Sequence, residues 1–192
     1  INKRICSGTP FCSNHELLVW IKFESKFFNL DKDIYMGCAY IPPEGSSYCA
    51  SSGNYFDIIE EDVMKYSVNG DILLRGDLNA RTSTYNELLT TVPVNDPPQC
   101  IHVDTINDYV DSINISNNSN FDSLRSSQDK SRPNKYEKDL LRLCRAANLV
   151  ICNGRSGLDK GVGKFTCFTS RGRSVVDYLI SAYSSLDYIQ NF

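Results

Sequence analysis

Apolar and polar positions along the chain predict a short list of elements. Residues 17–24 (LLVWIKFE) are apolar on both faces at first and then alternate, as in a strand entering a core. Residues 27–33 turn the chain, and residues 34–41 (IYMGCAYI) form a second strand stopped by Pro42-Pro43. Together they predict an antiparallel hairpin. Phe56, Ile59, Val63 and Tyr66 then recur at helical spacing, with Asn54 as the N-cap and Asn69-Gly70 as the stop. Asp71-Ile-Leu-Leu-Arg75 reads as a short buried strand that delivers Gly76-Asp77-Leu78-Asn79 at its carboxyl end.

Residues 82–135 are mostly polar and irregular, with Pro93, Pro97, Pro98 and the run 116–120 (SNNSN). A stretch of that length predicts a functional loop surface rather than a core element. The helix–strand theme then returns: residues 137–147 as a helix burying Leu140, Leu141, Cys144 and Ala147, and residues 149–152 as a buried strand. Residues 164–169 and 174–181 read as a strand pair around the turn 170–173, with Val175, Asp177 and Leu179 on one face. Two helix–strand units among strands predict a layered α/β sandwich. No low-complexity linker divides the 192 residues, which is one domain's length.

Composition narrows the class. No apolar run approaches the roughly 18 residues of a membrane span. The net charge of −3 conceals a split: residues 125–173 hold 12 Lys and Arg against 4 Asp and Glu, and the remainder is strongly acidic. Carboxylates gathered in one place and cations in another suit metal-assisted work on a phosphate polyanion, although an ordinary solvated face gives the same tally. The 8 cysteines show no CxxC pair. Cys38, Cys144, Cys152 and Cys167 fall in apolar segments as small hydrophobes, while Cys6, Cys12 and His15 lack a fourth ligand. The compartment reads as reducing and intracellular, not secreted, so the glycosylation-like triplets at Asn114 and Asn117 read as loop sequence.

Three short motifs carry chemistry. Asp77 and Asn79, two apart at a strand's end, project together; a carboxylate can move a proton while the amide fixes water or phosphate. A plain turn with Asp and Asn at its tip is the alternative. Asp177, amid Val, Tyr, Leu and Ile, needs a partner: either backbone donors or a catalytic group that it orients. Tyr40, before Pro42-Pro43, presents a phenol able to donate to a phosphate oxygen, or simply packs.

Their order is more specific than any one of them. A strand ending in Tyr40-Ile-Pro-Pro leads through a helix to GDLNAR (76–81); an LLxLC helix then precedes LxIxNGR (149–155), GKFT (163–166) and SVVDYLIS (174–181). This resembles the endonuclease/exonuclease/phosphatase superfamily, the DNase I-like α/β/β/α sandwich, and above all the endonuclease domains of non-LTR retrotransposons, from about residue 17 to 181. The resemblance implies phosphodiester cleavage with Mg²⁺, or Mn²⁺ in its place. It assigns Asp77 to the proton of the nucleophile or leaving group, Asn79 to the phosphate, Tyr40 to the scissile phosphate and Asp177 to orienting a His. Arg81, Thr166 and Ser174 fall near the nucleic-acid groove. DNA is the implied substrate, with a reverse transcriptase in the full-length polypeptide and a nuclear site of action.

The departures count too. The family's metal-binding Glu, preceded by Asn, and its terminal Ser-Asp-His have no counterpart here; Glu16, Glu24, His15 and His102 lack the context. The metal ligands are thus left unassigned, with Asp77 the one candidate. The expectation is therefore a single partial domain, incomplete at both termini and weakly active or inactive by itself. The alternatives are a non-catalytic nucleic-acid-binding remnant and a phosphatase or phosphodiesterase of the same superfamily acting on lipid or nucleotide.

Overall fold

The computed structural model describes residues 11–12, 16–47, 54–87, 121–122, 124–170 and 172–189. The expectations for Cys6, His15, Cys49, the prolines at 93, 97 and 98, Cys100, His102, Asn114, Asn117 and the run 116–120 lie outside them, as does the side chain of Cys12.

Strand β1 (Phe11–Cys12) edges β2 (Leu18–Phe23), which pairs antiparallel with β3 (Asp33–Tyr40), Leu18 opposite Ala39 and Phe23 opposite Ile34. This is the expected hairpin. Its turn is tied by the Asp33 carboxylate, which accepts from Ser25 N–H at 2.8 Å and pairs with Lys22 Nζ at 2.7 Å. Helix α1 (Tyr55–Ser67) begins where the Asn54 side chain accepts from Phe56 N–H at 3.1 Å, satisfying one of the first turn's orphan donors. It crosses over to β4 (Gly70–Asp77), parallel to β3.

Helix α2 (Tyr136–Ala146) leads into β5 (Leu149–Ile151), and β8 (Asp177–Ala182) lies antiparallel between β4 and β5. The sheet order is β1-β2-β3-β4-β8-β5. Strands β6 (Cys167–Thr169) and β7 (Gly172–Ser174) form a separate two-stranded ribbon. The architecture is α/β around a central mixed sheet, as the sequence predicts. Among the described residues no helix is long and apolar enough to cross a membrane.

The core sits between this sheet and the two helices. Phe56, Ile59 and Val63 of α1 and Leu140, Leu143 and Cys144 of α2 are buried with Trp20, Tyr35, Ile72, Leu74, Leu149 and Ile151. Each large apolar side chain taken fully from water stabilises the fold by about 1.5–3 kcal/mol. Gly37 makes room for the Trp20 indole, since a Cβ there would come within 2.9 Å of the ring. Leu143 is buried, whereas Ala147, expected in the core, is half-buried at the helix's end.

Two expectations need correction. The segment 174–181 is not one strand paired with 164–169. It breaks at Val175-Val176, where the ribbon ends and β8 enters the main sheet. Both valines are buried, and their N–H groups leave the ladder: Val175 donates to Asp129 Oδ2 at 3.2 Å and Val176 to Thr166 Oγ1 at 3.1 Å. Within 82–135, the described parts are not merely loop surface. Thr82, Glu87, Phe121, Arg125, Ser127 and Asp129 are buried, their polar groups largely satisfied by one another and by backbone.

All four cysteines placed in apolar segments are free thiols. Cys144 and Cys152 are buried and Cys38 and Cys167 half-buried. Burial pushes the Cys152 thiol up to about 12, so it stays protonated.

Candidate active site

Strand register gathers the singled-out residues. Tyr40 is opposite Asp77 across β3–β4, and Asp77 is opposite Asp177 across β4–β8. Register partners share a face of the sheet, and across the antiparallel β4–β8 pair their Cβ atoms lie about 4.5–5.5 Å apart. Three side chains from three neighbouring strands therefore form one lateral row, at the carboxyl ends of β3 and β4 and the amino end of β8.

Gly76 makes the row possible. Its φ of 141° is disfavoured for L side chains, and a Cβ there would lie 1.9 Å from the Ala39 carbonyl oxygen. Beyond Asp77 the chain is held on both sides. Ile41 N–H donates to the Asp77 carbonyl at 2.8 Å, and Leu78 N–H to the Val176 carbonyl at 2.9 Å. Asn79 adopts a left-handed φ of 47°, its N–H donating to Asp77 Oδ1 at 3.0 Å and its Nδ2 to the Ile41 carbonyl at 2.8 Å. Asn79 thus closes over the end of β3 beside the row, and Tyr40 stands there 49% exposed.

The electrostatics follow from that placement. Burial raises the Asp77 pKa above its ordinary value of 3.8; the Asn79 N–H pulls the other way, and the opposed Asp177 adds to the rise. Such a carboxylate is better able to exchange a proton, and a cation placed beside the pair relieves their repulsion.

The groove residues divide. Thr166 is joined to the row, because its hydroxyl accepts the N–H groups of both Val176 and Asp177 at 3.1 Å. Thr166 N–H donates to the Ser174 carbonyl at 3.0 Å, placing both at the base of the β6–β7 ribbon. The Arg81 guanidinium pairs with the buried Asp129 at 3.2 Å. The basic surplus is also partly internal. Arg125 and Arg155 are buried, Arg155 ion-paired to Glu87, and Arg142 pairs with Asp57. Lys130, Arg132, Lys135, Lys138, Lys164 and Arg173 stay exposed.

Sequence reasoning gave no role to Thr82, Arg125, Asn134, Asn153 or Tyr178. The Tyr178 hydroxyl donates to the Ala80 carbonyl at 2.7 Å and lies 3.0 Å from Thr82 Oγ1, which Arg125 also reaches. The available signal was the place of Tyr178 in SVVDY and of Asn153 in NGR. Among the described residues no group of three or more His, Cys, Asp and Glu converges as a metal cage. The hard oxygens at the row are those of Asp77, Asp177 and the Asn79 carboxamide.

No protein-family model and no curated protein matches the chain. Among solved structures it is similar to an endonuclease/exonuclease/phosphatase family protein from Leptotrichia buccalis C-1013-b, at 10% identity and a TM-score of 0.38. The match covers 85% of this chain and 41% of that one, so the chain spans well under half the length of that protein.

Proposed function

We propose that the chain is the core of a divalent-metal-dependent phosphodiesterase of the endonuclease/exonuclease/phosphatase superfamily, and that its activity is DNA nicking of the non-LTR retrotransposon type. The observation that carries this reading is the row Tyr40–Asp77–Asp177 with Asn79 closing beside it, on strands whose motifs follow the superfamily's order. In this reading Asp77 takes a proton from the attacking water. The water oxygen forms the new P–O bond, the ester P–O bond breaks, and the leaving oxygen is protonated by solvent. Tyr40 donates to a phosphate oxygen, the Asn79 carboxamide orients the phosphate, and Asp177 holds the polarity of the row.

The donor set fits Mg²⁺, or Mn²⁺ in its place. Mg²⁺ takes one or two carboxylates and fills its remaining positions with water and substrate phosphate oxygens. Asp77 and Asp177 would hold it. When bound, the ion supplies charge neutralisation on the phosphoryl oxygens. Exposed Lys164 and Arg173, beside and on the β6–β7 ribbon, then contact the DNA backbone, so binding weakens as salt rises. A nuclear site of action and a reverse transcriptase in the same polypeptide belong to this reading.

The test is relaxation of supercoiled plasmid by the full-length product of the gene. Mg²⁺- or Mn²⁺-dependent nicking that EDTA abolishes is expected. DNA binding without nicking would make the chain a non-catalytic remnant. Preference for a phosphoinositide or a nucleotide over DNA would keep the chemistry and overturn the substrate.

A further inference from the structure

Two asparagines repeat one device at the two ends of the row. Asn134 Nδ2 donates to the carbonyl of Asn79 at 2.7 Å, and its Oδ1 accepts from Arg81 N–H at 2.8 Å. Asn153 Nδ2 donates to the carbonyl of Asp177 at 3.1 Å, and its Oδ1 accepts from Leu179 N–H at 2.9 Å. In both cases a side-chain carboxamide spans the carbonyl of one residue and the N–H two residues on. This is the pattern that a neighbouring strand presents to one edge of its partner. In both cases the carbonyl belongs to a member of the proposed site.

The local backbone explains why a side chain is needed. At Asn79–Arg81 the chain has left β4, and Asn79 sits in the left-handed region with φ 47°, where no strand could run beside it. At Asp177–Leu179 the regular ladder with β5 covers only Leu149 to Ile151, opposite Ala182 to Ile180. Cys152 N–H reaches the Leu179 carbonyl at 2.8 Å, and one residue later Asn153 continues the edge with its carboxamide. Asn153 is itself buried at 6% exposure, and Asn134 stands just before α2, where its own carbonyl accepts from Glu137 N–H at 3.2 Å.

We infer that Asn134 and Asn153 are a matched pair of positioning residues, each acting as a one-residue strand that fixes the backbone of Asn79 or Asp177. Asn134 acts through Asn79, whose N–H meets the Asp77 carboxylate. Asn153 acts through Asp177, the charge facing Asp77. The groups around that carboxylate are Asp177 on β8 and Tyr40 on β3, with Arg75 one pleat back on β4. The inference rests on the proposed function for its kinetic consequence only.

The variants are Asn134→Asp and Asn153→Asp, nearly isosteric, which keep the acceptor but set a carboxylate oxygen against the carbonyl. Asn134→Ser and Asn153→Ser repeat the test without added charge. In the full-length protein each is expected to lower kcat for plasmid nicking about tenfold, the effect of one misplaced contact, with KM unchanged. Independently of activity, the backbone amide signals of Asn79 and Arg81 followed by NMR are expected to shift in Asn134→Ser, and those of Asp177 and Leu179 in Asn153→Ser, as each carboxamide bridge is lost. Asn54→Ala, which removes the α1 cap, is the control: it should lower Tm while moving neither kcat nor those amide signals. If Asn134→Ser and Asn153→Ser only lower Tm, as Asn54→Ala does, the asparagines are structural and the inference fails. If the wild type does not nick DNA but the Asn79 and Asp177 amide signals still move in the serine variants, the functional reading fails and the positioning role stands.

Discussion

The helix-covered side of the sheet and the rim that carries the row are stabilised by different physics. Under α1 and α2 the contacts are apolar and dense: Trp20, Phe56, Leu74, Leu140 and Ile151 are each less than 1% exposed. At the rim the backbone is held by side chains reaching across long sequence gaps. Asp129 receives Val175 and Ser131 N–H and the Arg81 guanidinium; Asn134 spans Asn79 and Arg81; Tyr178 and Arg125 converge on Thr82. Burial is non-directional and tolerates exchange of one apolar group for another, whereas a hydrogen-bonded rim fixes atoms in place. That is what a site needs from its frame.

The difference can be broken from either side. Phe56→Ala, in the apolar half, is expected to give the largest loss of stability, about 4 kcal/mol from lost transfer energy and the cavity left behind. For a chain of this size that lowers Tm by roughly 10 °C. Calorimetry should show it at every pH, since no charge is involved, and activity per folded molecule should be unchanged. A loss independent of folding would mean that the two regions are not separable.

Asp129→Asn attacks the rim and should cost less, about 2 kcal/mol, because Arg81 keeps partial access to water. Its signature is pH. Burial acts to raise the Asp129 pKa, but the bonds from Arg81, Ser131 and Val175 outweigh it and hold it below the ordinary value of 3.8. A lowered folded-state pKa stabilises above the unfolded value and is lost as pH falls through the folded one. The Tm difference between wild type and Asp129→Asn should therefore be full at pH 6–7, on the order of 5 °C, and shrink below about pH 4. A difference constant down to pH 2 would remove the carboxylate from the account.

The same contrast explains what was legible in the sequence. The hairpin, α1, β4, α2 and β5 follow from apolar period and from Asn54, Pro42-Pro43 and Gly70, because burial and capping are local in sequence. The convergence of Tyr40, Asp77 and Asp177 was legible too, since each stands at a strand end and the motif order fixes which strands are neighbours. The break at Val175-Val176 was not: two buried valines look like uninterrupted strand until Asp129 and Thr166 are known to take their N–H groups. The Arg81–Asp129 pair was hidden for the same reason, its partners lying 48 residues apart, and Asn134 is 55 residues from the carbonyl that it holds. Spacing along a chain does not report a hydrogen bond across such a gap.

If Asp77 serves chemistry at some expense to the fold, as proposed, one paired measurement shows it. Nicking rate with Mg²⁺ and thermal unfolding in EDTA are to be read on the same preparations of full-length wild type and Asp77→Asn at pH 7. A raised folded-state pKa means that the ionised form is disfavoured in the native protein, by burial and by Asp177 opposite, and that this penalty is relieved only as pH falls. The neutral amide should therefore leave Tm unchanged or raise it by up to about 2 °C, the scale of one opposed like-charge pair, while nicking falls by at least about a thousandfold. Retained nicking in Asp77→Asn, or a fall in Tm that accounts for the lost activity, would contradict the claim.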